Sequence, residues 1–139
     1  MIKPDYTVKD FMTANPHFIG AGETVLAAKH KMEELNIRHL PVLEEGTVIG
    51  IVSDRDIKMA IGLIGAAPDA VQVRHIGHES PYCVDPDTPL GEVTEEMAKH
   101  RYGSAIVVQN GKLVGIFTTV DACRAITFML RQVKASTKS

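Results

Sequence analysis

The 139-residue chain contains no tryptophan, only two cysteines, and an aromatic fraction of just 5%. Cys83 and Cys123 are far apart and neither belongs to a C-x-x-C pair, which excludes a disulfide framework and points to free thiols in a reducing compartment. Long apolar runs are also missing. The longest uncharged, mostly apolar stretch, residues 59–68, is broken by Gly62 and Gly65. It falls short of the roughly 20 residues a membrane helix needs. Charge of one sign is not in excess: 15 Lys+Arg face 17 Asp+Glu, a net charge of −2. No basic field exists to hold nucleic acid non-specifically. Met1-Ile2-Lys3-Pro4-Asp5 lacks an apolar signal core. Gly-x-Ser-x-Gly, Walker and His-Glu-x-x-His patterns are absent. The expectation is a soluble, cytoplasmic protein with no membrane or nucleic-acid partner. It is not read as an enzyme, unless distant residues assemble an active site.

What is present is a globular composition, 45% hydrophobic and 23% charged, and an internal repeat. Aligning Val8 with Val73, an offset of 65, runs without a gap to Ile61 over Ile126. Pro16/Pro81, Met32/Met97, Val42/Val107, Gly46/Gly111, Gly50/Gly115, Ile51/Ile116 and Asp56/Asp121 match identically. In the first copy, Thr7-Val8-Lys9-Asp10 reads as a capping box, and Pro16 enforces an extended chain into a short Phe18-Ile19 strand. Residues 24–35 place Val25, Ala28, Met32 and Leu35 on one helical face. Residues 38–43 and 47–52 flank Glu44-Glu45-Gly46 as a hairpin, and residues 53–60 return to helix. The second copy reads alike. Thr88 is the expected N-cap with Pro89 at the first helical position, and Asn110-Gly111 supplies the hairpin turn. The last helix is expected over residues 119–134. A repeat of roughly 55 residues buries too little surface alone, so two should pack sheet against sheet about a pseudo-two-fold axis.

This pattern resembles the CBS domain family, arranged as a tandem pair or Bateman module. The matching residues are Asp10-Phe11-Met12-Thr13, Pro16, residues 37–42, Gly46 and residues 50–57. In the second copy they are residues 102–108, Gly111 and residues 115–122. The resemblance implies an α+β fold of two tandem CBS repeats, each a small β-sheet with two packed helices. Repeat 1 with its leading segment is assigned to residues 1–62, a connector to 63–72, repeat 2 to 73–134 and a frayed tail to 135–139. It also implies a binding module that controls a partner protein. Such pairs take AMP, ADP or ATP, with S-adenosylmethionine a second choice, need no cofactor, and commonly form homodimers.

The strongest local feature is Gly-x-x-[Ser/Thr]-x-x-Asp, at Gly50/Ser53/Asp56 and at Gly115/Thr118/Asp121. Each lies where a strand turns into a helix, whose first N–H groups lack intrahelical partners and suit phosphate. A hydroxyl there can donate to phosphate, and a carboxylate can accept two ribose hydroxyls. The same spacing is equally a helix-capping pattern that needs no ligand. The resemblance implies two clefts. One joins Ser53, Arg55 and Asp56 with Tyr82, Cys83, Tyr102 and Gly103. The other joins Thr118 and Asp121 with Thr13, His17, Phe18, Ile37, Arg38 and His39. Arg38 and Arg55 are the phosphate candidates, against a reading as solvated surface charge. Val120 stands where the first copy has Arg55, so unequal affinities are expected.

His75, His78 and Cys83 are close in sequence but supply one ligand too few for a closed tetrahedral site, so no metal is assigned. His30 and His100 read as helix-surface residues, Met32 and Met97 as core, and the Lys29–Lys31 cluster as a solvated helix end. A ligand-independent scaffold is the competing reading. Its docking surface would be the apolar residues Ile57, Ile61, Ile126, Phe128 and Leu130.

Overall fold

The computed structural model describes residues 5–65, 67–77 and 80–137, without the side chains of Ile64 and Thr137. The chain divides into two compact units: His17–Pro81, and the leading segment to Pro16 together with Tyr82–Ser139. Each holds one small sheet and two α-helices, an α+β architecture.

In the His17–Pro81 unit the sheet order is β2-β3-β4. β2 (Ile19–Gly20) runs parallel to β3 (His39–Glu44), which pairs antiparallel with β4 (Thr47–Ser53). The hairpin closes through Glu45 and Gly46, both at positive φ (50° and 79°). That twist suits a two-residue hairpin, and its second position favours glycine. α1 (Val25–Leu35) is opened by Thr24, whose hydroxyl accepts from the Ala27 N–H at 3.1 Å. Its buried face is Val25, Ala28 and Met32. α2 (Asp54–Met59) continues into a π-helical turn, Ala60–Ile64. Leu40, Val42, Val52 and Ile57 complete the core; Ile57, expected on a docking surface, is 2% exposed and unavailable to one.

In the other unit the order is β1-β7-β6-β5. β1 (Thr13–Ala14) pairs antiparallel with β7 (Lys112–Thr118), β7 with β6 (Ser104–Gln109), and β6 runs parallel to β5 (Cys83–Val84). The Asn110-Gly111 turn repeats the positive φ pair, at 52° and 77°. β4 and β7 carry the same burial sequence, with three consecutive buried residues before the last. α3 (Leu90–His100) buries Leu90, Val93 and Met97 against Phe117, Ala105 and Val107. α4 is Thr119–Thr137.

Three features differ from the sequence expectation. First, the leading 3₁₀ turn of each sequence repeat packs in the unit built from the other repeat. Val8–Asp10 sits with α3, where the Val8 N–H donates to the Thr88 carbonyl (2.9 Å). Val73–His75 sits with α1, where the Val73 N–H donates to the Glu23 carbonyl (2.9 Å). Second, Thr88 does not cap α3. The N-cap is Pro89 with no side-chain bond, and the orphan Leu90 N–H finds the Tyr6 carbonyl at 2.9 Å. The connector does the same for α1: the carbonyls of Val71 and Pro68 accept from Val25 and Leu26 at 2.8 and 2.6 Å. Third, the expected tail is helical through Thr137, because α4 continues past Lys134.

Candidate functional site

β4 ends at Ser53, whose backbone is extended and whose hydroxyl accepts from the Asp56 N–H at 3.1 Å. The Asp56 carboxylate returns the contact, accepting from the Ser53 N–H at 2.8 Å. This reciprocal pair satisfies two orphan donors and fixes the strand-to-helix turn. Arg38 and His39, grouped from the resemblance with Thr118 and Asp121, lie next to this turn: His39 opens β3 and pairs with Ser53, and the Arg38 carbonyl accepts from the Asp54 N–H at 2.9 Å. Burial pushes the His39 imidazole below its ordinary value. The Asp56 charge pulls the other way, and Arg38 adds to the depression. Arg38 and Arg55 project into solvent at this turn, and Ile37 is half-buried against the core.

His17 and Phe18 lead into β2 and are exposed, Phe18 to 47%. Lys31 reaches over the Phe18 ring, 5.6 Å from its centroid. Lys31, read as part of a solvated helix end, thus joins the cations of this unit.

The second motif is closed more tightly. Asp121 is 3% exposed. Its Oδ2 accepts from the Thr118 N–H (2.9 Å) and hydroxyl (3.1 Å). Its Oδ1 accepts from the Thr13 hydroxyl (3.1 Å) and lies 3.5 Å from the Arg124 guanidinium. Thr13 was paired with Asp121 from the resemblance, and the structure brings them together. Gly103 lies beside this turn, its carbonyl accepting from the Thr119 N–H at 3.3 Å.

Tyr82 and Tyr102 stack at 5.2 Å between centroids, and His100 stacks on Tyr102 at 5.1 Å. His100 is itself 3.1 Å from Glu96. Burial raises the Tyr82 phenol, and the nearby Glu96 and Glu92 add to the shift. Cys83 begins β5 as an exposed free thiol. Lys31, Arg124 and His100 are the contributors that sequence reasoning missed. Only Arg124 had a signal, its i,i+3 spacing from Asp121. Of the metal candidates, His78 lies outside the described residues. Among the described residues no group of three or more His, Cys, Asp or Glu could hold a metal ion, and no helix is long and apolar enough to cross a membrane.

The CBS domain model matches residues 8–63 and again 73–127. The Bacillus subtilis (strain 168) protein YlbB is 34% identical over 116 residues, covering 82% of this chain and 78% of that protein. The crystal structure of a putative acetoin utilization protein (AcuB) from Vibrio cholerae is similar at a TM-score of 0.80 and 32% identity, covering 96% of this chain and 97% of that one. The domain pair of protein MJ0100, solved in complex with 5′-methylthioadenosine and S-adenosyl-L-methionine, is similar at a TM-score of 0.79 and 25% identity. It covers 89% of this chain and 98% of that one.

Proposed function

This chain belongs to the CBS domain family as a tandem pair, and from that premise we propose that it is a regulatory module that binds an adenosyl ligand and transmits the bound state to a protein partner. AMP, ADP and ATP are the first ligands in view, with S-adenosylmethionine next. The observation that carries the reading is the convergence of Ser53, Asp56, Arg38 and His39 at one strand-to-helix turn. A hydroxyl and a carboxylate there can read a ribose. Arg38 and Arg55 supply forked cationic donors for phosphate. The MJ0100 domain pair, solved with two adenosyl compounds, supports the ligand class. The role is binding rather than turnover, in the cytosol, with no resident cofactor.

The test is a thermal-shift panel of AMP, ADP, ATP, S-adenosylmethionine, 5′-methylthioadenosine and GTP. A ligand held only by the folded chain stabilises it by about 2.7 kcal/mol at a hundred times its dissociation constant. A clear shift with an adenosyl compound and none with GTP is expected. Flat curves at millimolar concentrations contradict the reading, and release of product on incubation contradicts a pure binding role.

A second reading concerns association. Ile126, Leu130 and Val133 recur at helical spacing along α4 and are 57%, 64% and 42% exposed. We assign this stripe to a second copy of the chain, as a homodimer. Light scattering should report a dimer that Leu130→Glu converts to monomer. A monomeric wild-type chain contradicts the assignment.

A further inference from the structure

Met12 and Gly77 are equivalent in the 65-residue repeat, and so are Gly115 and Gly50. Met12 and Gly77 each follow the 3₁₀ turn at the start of their repeat. Beside β7, Met12 lies against Gly115 so closely that a Cβ there would meet its sulfur. Glycine at 115 thus makes room for a thioether, and Met12 packs on the core that contains Val107 and Phe117. Beside β4 the same place is built from two glycines. Gly50 and Gly77 both line a cavity of about 450 Å³. Close packing keeps Gly77 small, because a Cβ there would stand 2.8 Å from the Ile51 carbonyl oxygen.

Val42, Ile49 and Val73 complete the apolar wall of the cavity. Val42 faces Gly50 across the β3–β4 ladder and belongs to the core under α1. Both residues therefore stand on the helix-covered face of the sheet. Gly50 and Ser53 are three apart on β4 and belong to opposite faces. Arg38, His39, Ser53 and Asp56 take no part in the lining. The cavity is separate from the strand-to-helix turn.

Glu44, Arg74 and His75 form its rim, which carries both signs of charge. Arg74 is held from two sides: its Nη1 donates to a Glu44 carboxylate oxygen and its Nε to the Gln72 side-chain oxygen, both at 2.8 Å. Among the described residues, Nη2 of Arg74 and the second Glu44 oxygen have no further partner. His75 is exposed beside them. The other repeat has Lys9 and Gln109 at the positions of Arg74 and Glu44, and its Lys9 turns to Asp87 at 2.8 Å.

An apolar cavity with a few placed polar groups is the usual form of a small-molecule site. A ligand that matches this one has an apolar chain, to occupy the place that the Met12 thioether takes in the other unit. Its head bears one positive and one negative charge, to meet Glu44 and Arg74. We infer that this cavity is a binding site for a free α-amino acid with an aliphatic or thioether side chain. The ammonium meets Glu44, the carboxylate meets Arg74 and His75, and the chain lies over Gly50 and Gly77. The site is independent of the adenosyl-ligand reading above.

Titration of the ¹⁵N-labelled full chain with L-methionine, L-leucine, L-alanine and hexanoate, each alone, tests it. L-methionine and L-leucine should give saturable shifts in the amides of Gly50 and residues 73–77. L-alanine lacks the chain and hexanoate lacks the ammonium, so each should bind at least about tenfold more weakly than L-methionine. Arg74→Gln, a change on the exposed rim, should weaken L-methionine by about tenfold or more. Gly50→Ala points a Cβ into the cavity and should abolish the shifts; if that chain does not fold, the Arg74→Gln result decides. Equal affinity for L-methionine and hexanoate, or an unaltered affinity in Arg74→Gln, overturns the amino-acid assignment. No shift with L-methionine up to its solubility limit, or shifts confined to residues 37–39 and 53–56, overturns the site.

Discussion

Replacing Asp121 by Ala removes the acceptor for the Thr118 N–H, the Thr118 hydroxyl and the Thr13 hydroxyl in one step. The consequences differ by donor. The hydroxyls can rotate toward other acceptors. The Thr118 N–H is fixed by β7 and cannot. Loss of a capping side chain costs about 1 kcal/mol, and hydrogen bonds to a charged acceptor contribute about 1.5–3 kcal/mol each. Arg124 is 72% exposed, so its loss as a partner counts little. These terms share one carboxylate and do not add. The expected cost is about 3 kcal/mol, or a fall in Tm of roughly 6–12 °C for a domain of this size. Asp121→Asn discriminates the cause. Its remaining oxygen can face Thr118, while its amide faces a Thr13 hydroxyl free to turn and accept, so the cost should be about 1 kcal/mol. The chain has no tryptophan, so urea unfolding followed by far-ultraviolet circular dichroism is the assay. An Ala variant within about 0.5 kcal/mol of wild type, well under the cost of one lost cap, would refute the reasoning. Equal costs for Asn and Ala would refute it too.

Other expectations follow from the same contacts. Gly77→Ala places a Cβ 2.8 Å from the Ile51 carbonyl oxygen. Backbone must move, and urea unfolding should report a loss of about 1–3 kcal/mol. Gly91→Ala in α3 meets nothing within 4 Å and should stabilise the chain by about 0.5–1 kcal/mol in the same assay. His39 is depressed below its ordinary 6.5 by burial. The unfolded chain therefore takes up a proton at a higher pH than the folded one. The stability held above pH 6.5 is lost as pH falls toward the folded value. A His39→Gln chain should show a flatter stability profile between pH 7 and 5, and an unchanged slope would contradict the burial of that ring.

The repeat itself, the hairpins at Glu45-Gly46 and Asn110-Gly111, and the apolar faces of α1 and α3 could be read directly from residue pattern. Periodicity and turn chemistry are local and leave local marks. The exchange of the leading 3₁₀ turns could not be read that way. Val8 and Val73 are apolar positions in either packing, and pattern reports burial without naming the partner. The Thr88 cap fails for a related reason. A remote carbonyl, that of Tyr6, satisfies the Leu90 N–H, and no side chain is required. The Ser/Thr-x-x-Asp motifs illustrate both sides. Their capping geometry followed from spacing alone. The partners of Asp121 did not, because they include Thr13, more than a hundred residues away in sequence.

The measurement that bears most directly on the central claim is a titration of the ¹⁵N-labelled chain with AMP, and separately with S-adenosylmethionine, followed by two-dimensional amide spectra. The account predicts saturable shifts in the amides of residues 37–39 and 53–56 with at least one of the two. Unchanged spectra at millimolar concentrations of both, or saturable shifts confined to α4, would contradict it.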